Sequence, residues 1–284
     1  MNAFTETPLP SAGIVDIAAW RAEPGVSLVP RADELSVEEP LEIRVDGETL
    51  AVTMRTPGHD AELAAGFLLA EGLVRSRAEL GSVAHCGRLG DEGARNTINV
   101  VAAPGVVLDV EALGRAHRGT LTSSACGVCG RRLVDDLLGK LSPPARAERF
   151  ERGFIAGLTC ELRARQPHFE RTGGLHAAGV ARPGTGFLVV REDVGRHNAV
   201  DKAFGRLLLD GRVPASGAVL VVSGRTSFEI VQKALAAGVS AVVGVSAPSS
   251  LAVTTAARFG LLLCGFVRGD GFNVYAGAER LKES

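Results

Sequence analysis

The chain has 284 residues, and its 31 lysines and arginines nearly cancel 32 aspartates and glutamates, which argues against binding nucleic acid through bulk charge. Aromatic residues make up only 5%, too few for a base-stacking platform, while 46% hydrophobic residues suffice for one large domain or two small ones. The longest apolar runs, 218–222 and 261–264, are far too short to span a membrane; the start of the chain has no signal-peptide pattern, and five scattered cysteines suit a reducing cytoplasm.

In chain order, residues 1–30 mix Pro, Ser, Ala and Gly around the sole tryptophan, Trp20, and predict an irregular, partly mobile arm. Residues 41–45 and 50–54 alternate apolar and polar around Asp46-Gly47, a hairpin signal. Thr56-Pro57-Gly58-His59-Asp60 then leads into Leu63, Phe67, Leu68 and Val74 at helical spacing, with Asp60 as the expected N-cap. Residues 83–89 and 97–102 predict a second pair of strands. The stretch 31–142 thus reads as a β-rich domain with one inserted helix.

That stretch ends in Ser123-Ser124-Ala125-Cys126-Gly127-Val128-Cys129-Gly130, followed by Leu133, Val134, Leu137 and Leu138 at helical spacing. A thiol at a helix N-terminus is favoured as thiolate, the nucleophilic and metal-binding form. Three chemistries fit the C-x-x-C about equally: a zinc site, a thioredoxin-like redox pair, or a sulfur-relay thiol. Zinc would need four ligands, and no second C-x-x-C or close histidine pair is present; a thioredoxin-like pair belongs after the first strand of a compact fold. Cys86, Cys160 and Cys264 have no partner in spacing and read as structural.

Leu141-Ser142-Pro143-Pro144 predicts a linker. From 145 to 284 helical segments (154–166, 197–209, 228–237, 249–259) alternate with strands (187–190, 218–222, 241–245, 261–267). Thr226-Ser227-Phe228-Glu229 suggests a capping box. The fold class is α/β, α+β overall: a β-rich N-terminal domain followed by a layered α/β domain with a largely parallel sheet. In such a domain ligands gather at the carboxyl ends of strands. Four polar, glycine-rich loops fall there: 191–198 with Arg196 and His197, 223–227 with Ser223, Gly224, Arg225 and Thr226, 246–250, and 268–271 with Arg268, Gly269, Asp270 and Gly271. Arginines beside helix N-termini suit an anionic ligand carrying phosphates. Singly, each loop also reads as an ordinary connection.

Several motifs are long enough to carry a resemblance. Besides the cysteine loop and Thr56-Pro57-Gly58-His59-Asp60 they are Thr172-Gly173-Gly174-Leu175-His176-Ala177-Ala178, Glu192-Asp193-Val194-Gly195-Arg196-His197-Asn198-Ala199-Val200-Asp201-Lys202, and Ser223-Gly224-Arg225-Thr226-Ser227-Phe228-Glu229. Gly265-Phe266-Val267-Arg268 and Asn273-Val274-Tyr275 close the chain. In this order they resemble the FdhD family, the formate dehydrogenase accessory sulfurtransferases. The resemblance implies a cytoplasmic, dimeric sulfurtransferase whose larger domain is similar to cytidine deaminases. It implies that Cys126 accepts sulfane sulfur from a cysteine desulfurase as a persulfide, with Cys129 as the second motif cysteine. The sulfur then passes to the molybdenum or tungsten bis(molybdopterin guanine dinucleotide) cofactor for the formate dehydrogenase apoenzyme. Phe266, Val267, Arg268, Gly269, Asp270 and Gly271 match the family's cofactor-binding segment. The alternatives are a cofactor chaperone with structural cysteines and, more remotely, a zinc deaminase. The latter needs H-x-E before P-C-x-x-C, whereas Ala177 and Ala178 follow His176. No nucleic acid, membrane or resident metal is expected.

Overall fold

A computed structural model of the chain describes residues 13–86, 94–110, 138–139, 141–144, 148–269 and 271–283. The cysteine loop lies outside these residues, as does the helix expected after it except for Leu138, which is helical. The expected α/β class is borne out, with three sheets among the described residues.

The first is an antiparallel ribbon of β1 (Ile14–Arg21) and β2 (Val29–Ser36). Residues 14–21 are therefore strand, where an irregular arm was expected. The ribbon leaves Ile17, Trp20 and Val29 exposed, so no inward–outward alternation marks it in the sequence.

The second sheet has the order β4-β3-β6-β5, built from β3 (Glu39–Val45), β4 (Glu48–Arg55), β5 (Leu80–His85) and β6 (Thr97–Ala102). The expected hairpin forms at Asp46 (φ 49°) and Gly47 (φ 90°), both left-handed, as a tight turn between right-twisted strands requires. Helix α1 (Asp60–Ala70) follows β4. Asp60 does not cap it. His59 holds the N-cap position at φ 58°, and the Asp60 carboxylate accepts hydrogen bonds from Arg55 Nε (3.1 Å) and Nη2 (2.9 Å). The Arg55 guanidinium is buried, and a buried cation needs a counter-charge more than a helix end needs a cap.

The third sheet has the order β12-β11-β10-β9-β7-β8. Its strands are β7 (His176–Arg182), β8 (Gly186–Asp193), β9 (Val219–Val222), β10 (Ala241–Gly244), β11 (Leu262–Arg268) and β12 (Gly271–Ala276). Only β9, β10 and β11 run parallel; β7 and β12 are antiparallel to their neighbours. The largely parallel sheet of the sequence reading is thus parallel at its centre alone. Neither β7 nor β12 was anticipated. In β7, Ala177, Ala178 and Val180 are buried on both faces, which erases alternation, and Gly179 lies against the Phe187 ring, where a Cβ would come within 2.5 Å.

Helices cover both faces. Apolar residues of α2 (Arg152–Arg163), Ile155, Leu158 and Leu162, pack on Val219, Val221 and Val243. A short helix α3 (Pro167–Thr172) continues from α2. On the other face lie α4 (Arg196–Leu209), α5 (Phe228–Ala236) and α6 (Ser250–Phe259), over Val180, Leu220 and Val242. Ser249 caps α6, accepting from Ala252 N at 3.2 Å. The capping box expected at α5 does not form: Ser227 is its N-cap residue, but its side chain makes no capping bond.

Helix α1 packs directly on α4. A Cβ on Gly66 would stand 1.9 Å from Asp201 O, and one on Gly205 1.7 Å from Glu62 O. The two helix backbones therefore touch, and one core runs from Ile43, Leu68 and Ile98 to Val200, Phe204 and Leu220.

Candidate functional site

β8, β9, β10 and β11 all end at one edge of the third sheet, and β7 begins there. The four polar loops of the sequence reading consequently share a rim, stitched by hydrogen bonds. Ala177 N donates to Ser223 Oγ (2.9 Å) and Ser223 N to Ala177 O (3.0 Å). Thr226 N donates to Ala247 O (3.2 Å), Ser249 N to Thr226 O (2.9 Å), and Phe266 N to Ser246 O (3.3 Å).

Between this rim and α2 lies a cleft of about 540 Å³. His176, Ser223, Val267, Arg268 and Gly269 border it on the sheet side; Cys160, Arg163 and Gln166 border it on the other. The Arg163 guanidinium lies over the Phe169 ring, 4.5 Å from its centroid. Arg268 Nε reaches Val245 O at 3.4 Å. Neither arginine meets a carboxylate among the described residues. Cys160 corrects an expectation, since it is exposed and faces the cleft rather than being a buried structural thiol. Cys264 is buried, and burial pushes its thiol up to about 12.

Behind the cleft, Gly224 lies against His176 and Arg196: a Cβ there would be 3.4 Å from His176 Nδ1 and 4.0 Å from Arg196 Cδ. Burial, then the charges of Arg196 and Arg225, lower the His176 pKa. His197 is pushed down to about 3 by burial and by the charges of Lys233, Arg196 and His176. His197 is thus neutral at neutral pH, with Nε2 3.3 Å from Ser227 Oγ and 3.4 Å from Glu229 Oε2. Glu229, the carboxylate of the expected capping box, and the N-cap Ser227 thus both face the histidine, while Thr226, the box's hydroxyl member, makes no side-chain hydrogen bond among the described residues.

The Thr56–His59 motif joins the same edge. The buried Asp193 carboxylate accepts from Thr56 N (3.2 Å), Gly195 N (2.8 Å), Asn198 Nδ2 (3.1 Å) and Lys202 Nζ (2.6 Å). Lys202 Nζ also donates to Thr56 O at 2.8 Å, and Val194 N to Thr56 Oγ1 at 3.1 Å. Two motifs far apart in sequence are thereby locked into one loop pair.

Of the residues singled out from sequence, Ser223, Val267, Arg268 and Gly269 border the cleft directly. Arg196, His197 and Gly224 stand beside it, and Arg225 is exposed. Thr226 is 1% exposed. Its Oγ1, like Arg196 Nε, is buried without a hydrogen-bond partner among the described residues. Phe266 adopts φ 53°, a strained conformation for a bulky side chain, in an irregular stretch of the β11–β12 pairing, and is 42% exposed at the rim. Gly271 opens β12. Cys126, Cys129 and Asp270 lie outside the described residues. Cys160, Arg163, Gln166 and Phe169 were not anticipated, because nothing in a helical pattern says which turn faces a sheet edge.

The chain matches the FdhD/NarQ family over residues 36–282. It is 52% identical over 255 residues to the sulfur carrier protein FdhD of Anaeromyxobacter dehalogenans, covering 88% of both chains. To the sulfur carrier protein FdhD of Corynebacterium efficiens it is 49% identical over 251 residues, covering 87% of this chain and 90% of that one. Its fold is similar to the crystal structure of a formate dehydrogenase accessory protein from Desulfotalea psychrophila, with a TM-score of 0.75 at 22% identity, over 95% of this chain and 100% of that one.

Proposed function

The chain belongs to the FdhD/NarQ family, and from that premise we propose that it is a sulfur carrier in the maturation of formate dehydrogenase. The stretch 31–142 presents the cysteine loop, and 145–284 binds the acceptor. A cytoplasmic cysteine desulfurase supplies the sulfur. The Cys126 thiolate attacks the outer sulfur of the donor's persulfide, that S–S bond breaks, and the donor thiolate leaves. Cys126 then carries the persulfide to the acceptor, with Cys129 beside it in the loop. The protein works as a homodimer and passes the cofactor on to the dehydrogenase apoenzyme. No helix among the described residues is long and apolar enough to cross a membrane.

The acceptor is the bis(molybdopterin guanine dinucleotide) cofactor, bound as substrate in the cleft. The observation that carries this assignment is the surplus of unpaired donors at the rim. Arg163 and Arg268 lack carboxylate partners, and Arg196 Nε and Thr226 Oγ1 are buried without any partner among the described residues. Buried polar groups ordinarily find partners, and guanidinium groups match phosphate geometry. A ligand with several phosphates and flat polar rings suits that donor set.

Incubation of the purified protein with cysteine and a desulfurase is expected to add one sulfur at Cys126, read by intact mass under non-reducing conditions and erased by Cys126→Ala. A sulfur that stays on the Cys126→Ala protein contradicts the assignment. Retained dehydrogenase maturation without Cys126 would favour the chaperone reading, in which the cysteines are structural.

A further inference from the structure

Six large apolar side chains of the β1–β2 ribbon and its turn stand exposed, Trp20 at 66% and Leu28 at 60% the most so. A two-stranded ribbon is marginal in water by itself, and an apolar patch of this kind marks a docking surface. The two edges of the ribbon differ. Val37 N donates to Gly13 O at 2.9 Å, and the ladder keeps that register from Ile14–Ser36 to Arg21–Val29. Odd-numbered residues therefore bond between the strands, and even-numbered ones turn their N–H and C=O groups outward. On the β2 edge Pro30 has no N–H, and Glu34 N donates to Asp33 Oδ1 (3.0 Å). Glu34 and Ser36 are also tied to Arg171 (2.9 Å) and Thr172 (2.8 Å) of α3. That edge is closed in the way natural sheets close theirs. On the β1 edge the outward backbone groups of Asp16, Ala18 and Trp20 bond to nothing among the described residues. Where Ala18 faces Ala32 there is a hollow of about 430 Å³, bordered also by Asp16, Ile17, Pro30 and Arg31.

We propose that the occupant of this edge is a second copy of the chain: β1 pairs antiparallel with the partner's β1, making a four-stranded β2-β1-β1-β2 sheet. This rests on the reading of the protein as a homodimer and names its surface. A two-fold contact must be complementary to itself, and that fixes the register. Only even-numbered residues can bond across the edge. Centring on Asp16 sets like charges opposite each other. Centring on Ile17 draws on the buried Ile14 and leaves the two Asp16 carboxylates as diagonal neighbours. Centring on Ala18 uses exposed residues: Ala18 exchanges both backbone bonds with the partner's Ala18, and Asp16 stands opposite the partner's Trp20. Each indole then reaches the hollow beside the other chain's alanines, with a carboxylate near its N–H. Knob and hollow lie on one patch, as an isologous interface requires.

Sedimentation velocity of the full chain over a dilution series tests this, with Ala18→Pro, Trp20→Ala and Leu251→Lys. Proline at 18 removes an outward N–H and leaves the β1–β2 ladder intact. Leu251 is an exposed apolar residue of α6, far from the ribbon in sequence. Wild type is expected to dimerise. Ala18→Pro should raise the dimer Kd by at least about tenfold, for two lost hydrogen bonds, Trp20→Ala by about tenfold, and Leu251→Lys not at all. Trp20 is the sole tryptophan, so wild-type emission should shift to the red as the dimer dissociates. A dimer weakened no more by Ala18→Pro than by Leu251→Lys overturns the β1 edge while leaving the homodimer. A dimer indifferent to Trp20→Ala rejects the register centred on Ala18. A wild-type chain that is monomeric throughout overturns both readings. Should Ala18→Pro not fold, the emission decides: no shift on dissociation of wild type rejects the inference.

Discussion

The seam between α1 and the helices α4 and α5 contrasts with the rim of the third sheet. In the seam, buried charges are paired: Arg55 with Asp60, Lys202 with Asp193, Lys233 with Asp201 at 2.8 Å, and Glu62 with Arg191 Nη2 at 2.8 Å. At the rim, Arg196 Nε and Thr226 Oγ1 have no partner among the described residues, and Phe266 is held in a left-handed conformation. The seam satisfies its own polar groups and so fixes how the two sheets meet. Polar groups at the rim are left for something outside the chain, which is how a binding site differs from a structural one in the same fold.

The largest stability effect is expected where a seam pair is broken. Lys202→Met would leave Asp193 buried with its lysine gone, at a cost of about 3–5 kcal/mol, measurable as a lower urea midpoint. A change below about 1 kcal/mol would mean that the remaining donors to Asp193 suffice without the lysine.

Next comes the crossing of α1 and α4. Gly205→Ala puts a methyl where backbone atoms of α1 already stand, and overpacking of this kind costs about 1–3 kcal/mol or more. Gly153, on α2, has nothing within 4 Å of its would-be Cβ, so Gly153→Ala is expected to be neutral or to stabilise by up to about 1 kcal/mol. Equal effects of the two substitutions would contradict the close helix contact.

Acid should separate the two regions by pH. His197 titrates near 3 when folded, below its ordinary 6.5. The unfolded chain therefore binds the proton first, and stability present above 6.5 is lost as pH falls toward 3. Glu62 acts lower. Burial pushes it up, but hydrogen bonds and charge from Arg191 and His59 outweigh that and hold it at about 2, against 4.5. Its contribution is present above 4.5 and lost as pH falls toward 2. The contributions of His197 and Glu62 are thus lost in successive windows, against an opposing gain from Asp201, which burial raises to about 7, and His197→Gln should shrink the first loss, read in thermal midpoints, leaving the share due to His176. An undiminished decline between 6.5 and 4.5 would show that His197 is not its source.

The smallest stability effect is expected at Arg268. Arg268→Ala should change stability by no more than about 0.5 kcal/mol, while affinity for inorganic pyrophosphate, a probe of the proposed acceptor's phosphates, falls by about tenfold through loss of a charge-assisted contact. The reverse pattern would place Arg268 with the seam.

Much of this arrangement was legible before the structure. Asp46-Gly47 announced its hairpin because left-handed turn residues leave a local signature. The loops carrying Arg196, Ser223 and Arg268 were expected on one edge because strands that alternate with helices put their carboxyl ends together. What escaped had no local signature. β7 is small residues buried on both faces. Asp60 and Glu229 looked like members of helix caps, and distant partners, Arg55 and His197, face them instead. Gln166 and Cys160 became cleft residues only through the register of α2 over the sheet, a tertiary fact that periodicity does not contain.

The central claim is that a single thiol carries the sulfur. The direct measurement is formate dehydrogenase activity in cells whose only copy of this protein bears Cys126→Ala, alongside the same measurement with the wild-type chain. Activity is predicted with the wild type and absent with the replacement, although the replaced protein accumulates and folds. Full activity with Cys126→Ala would contradict the sulfur-carrier account.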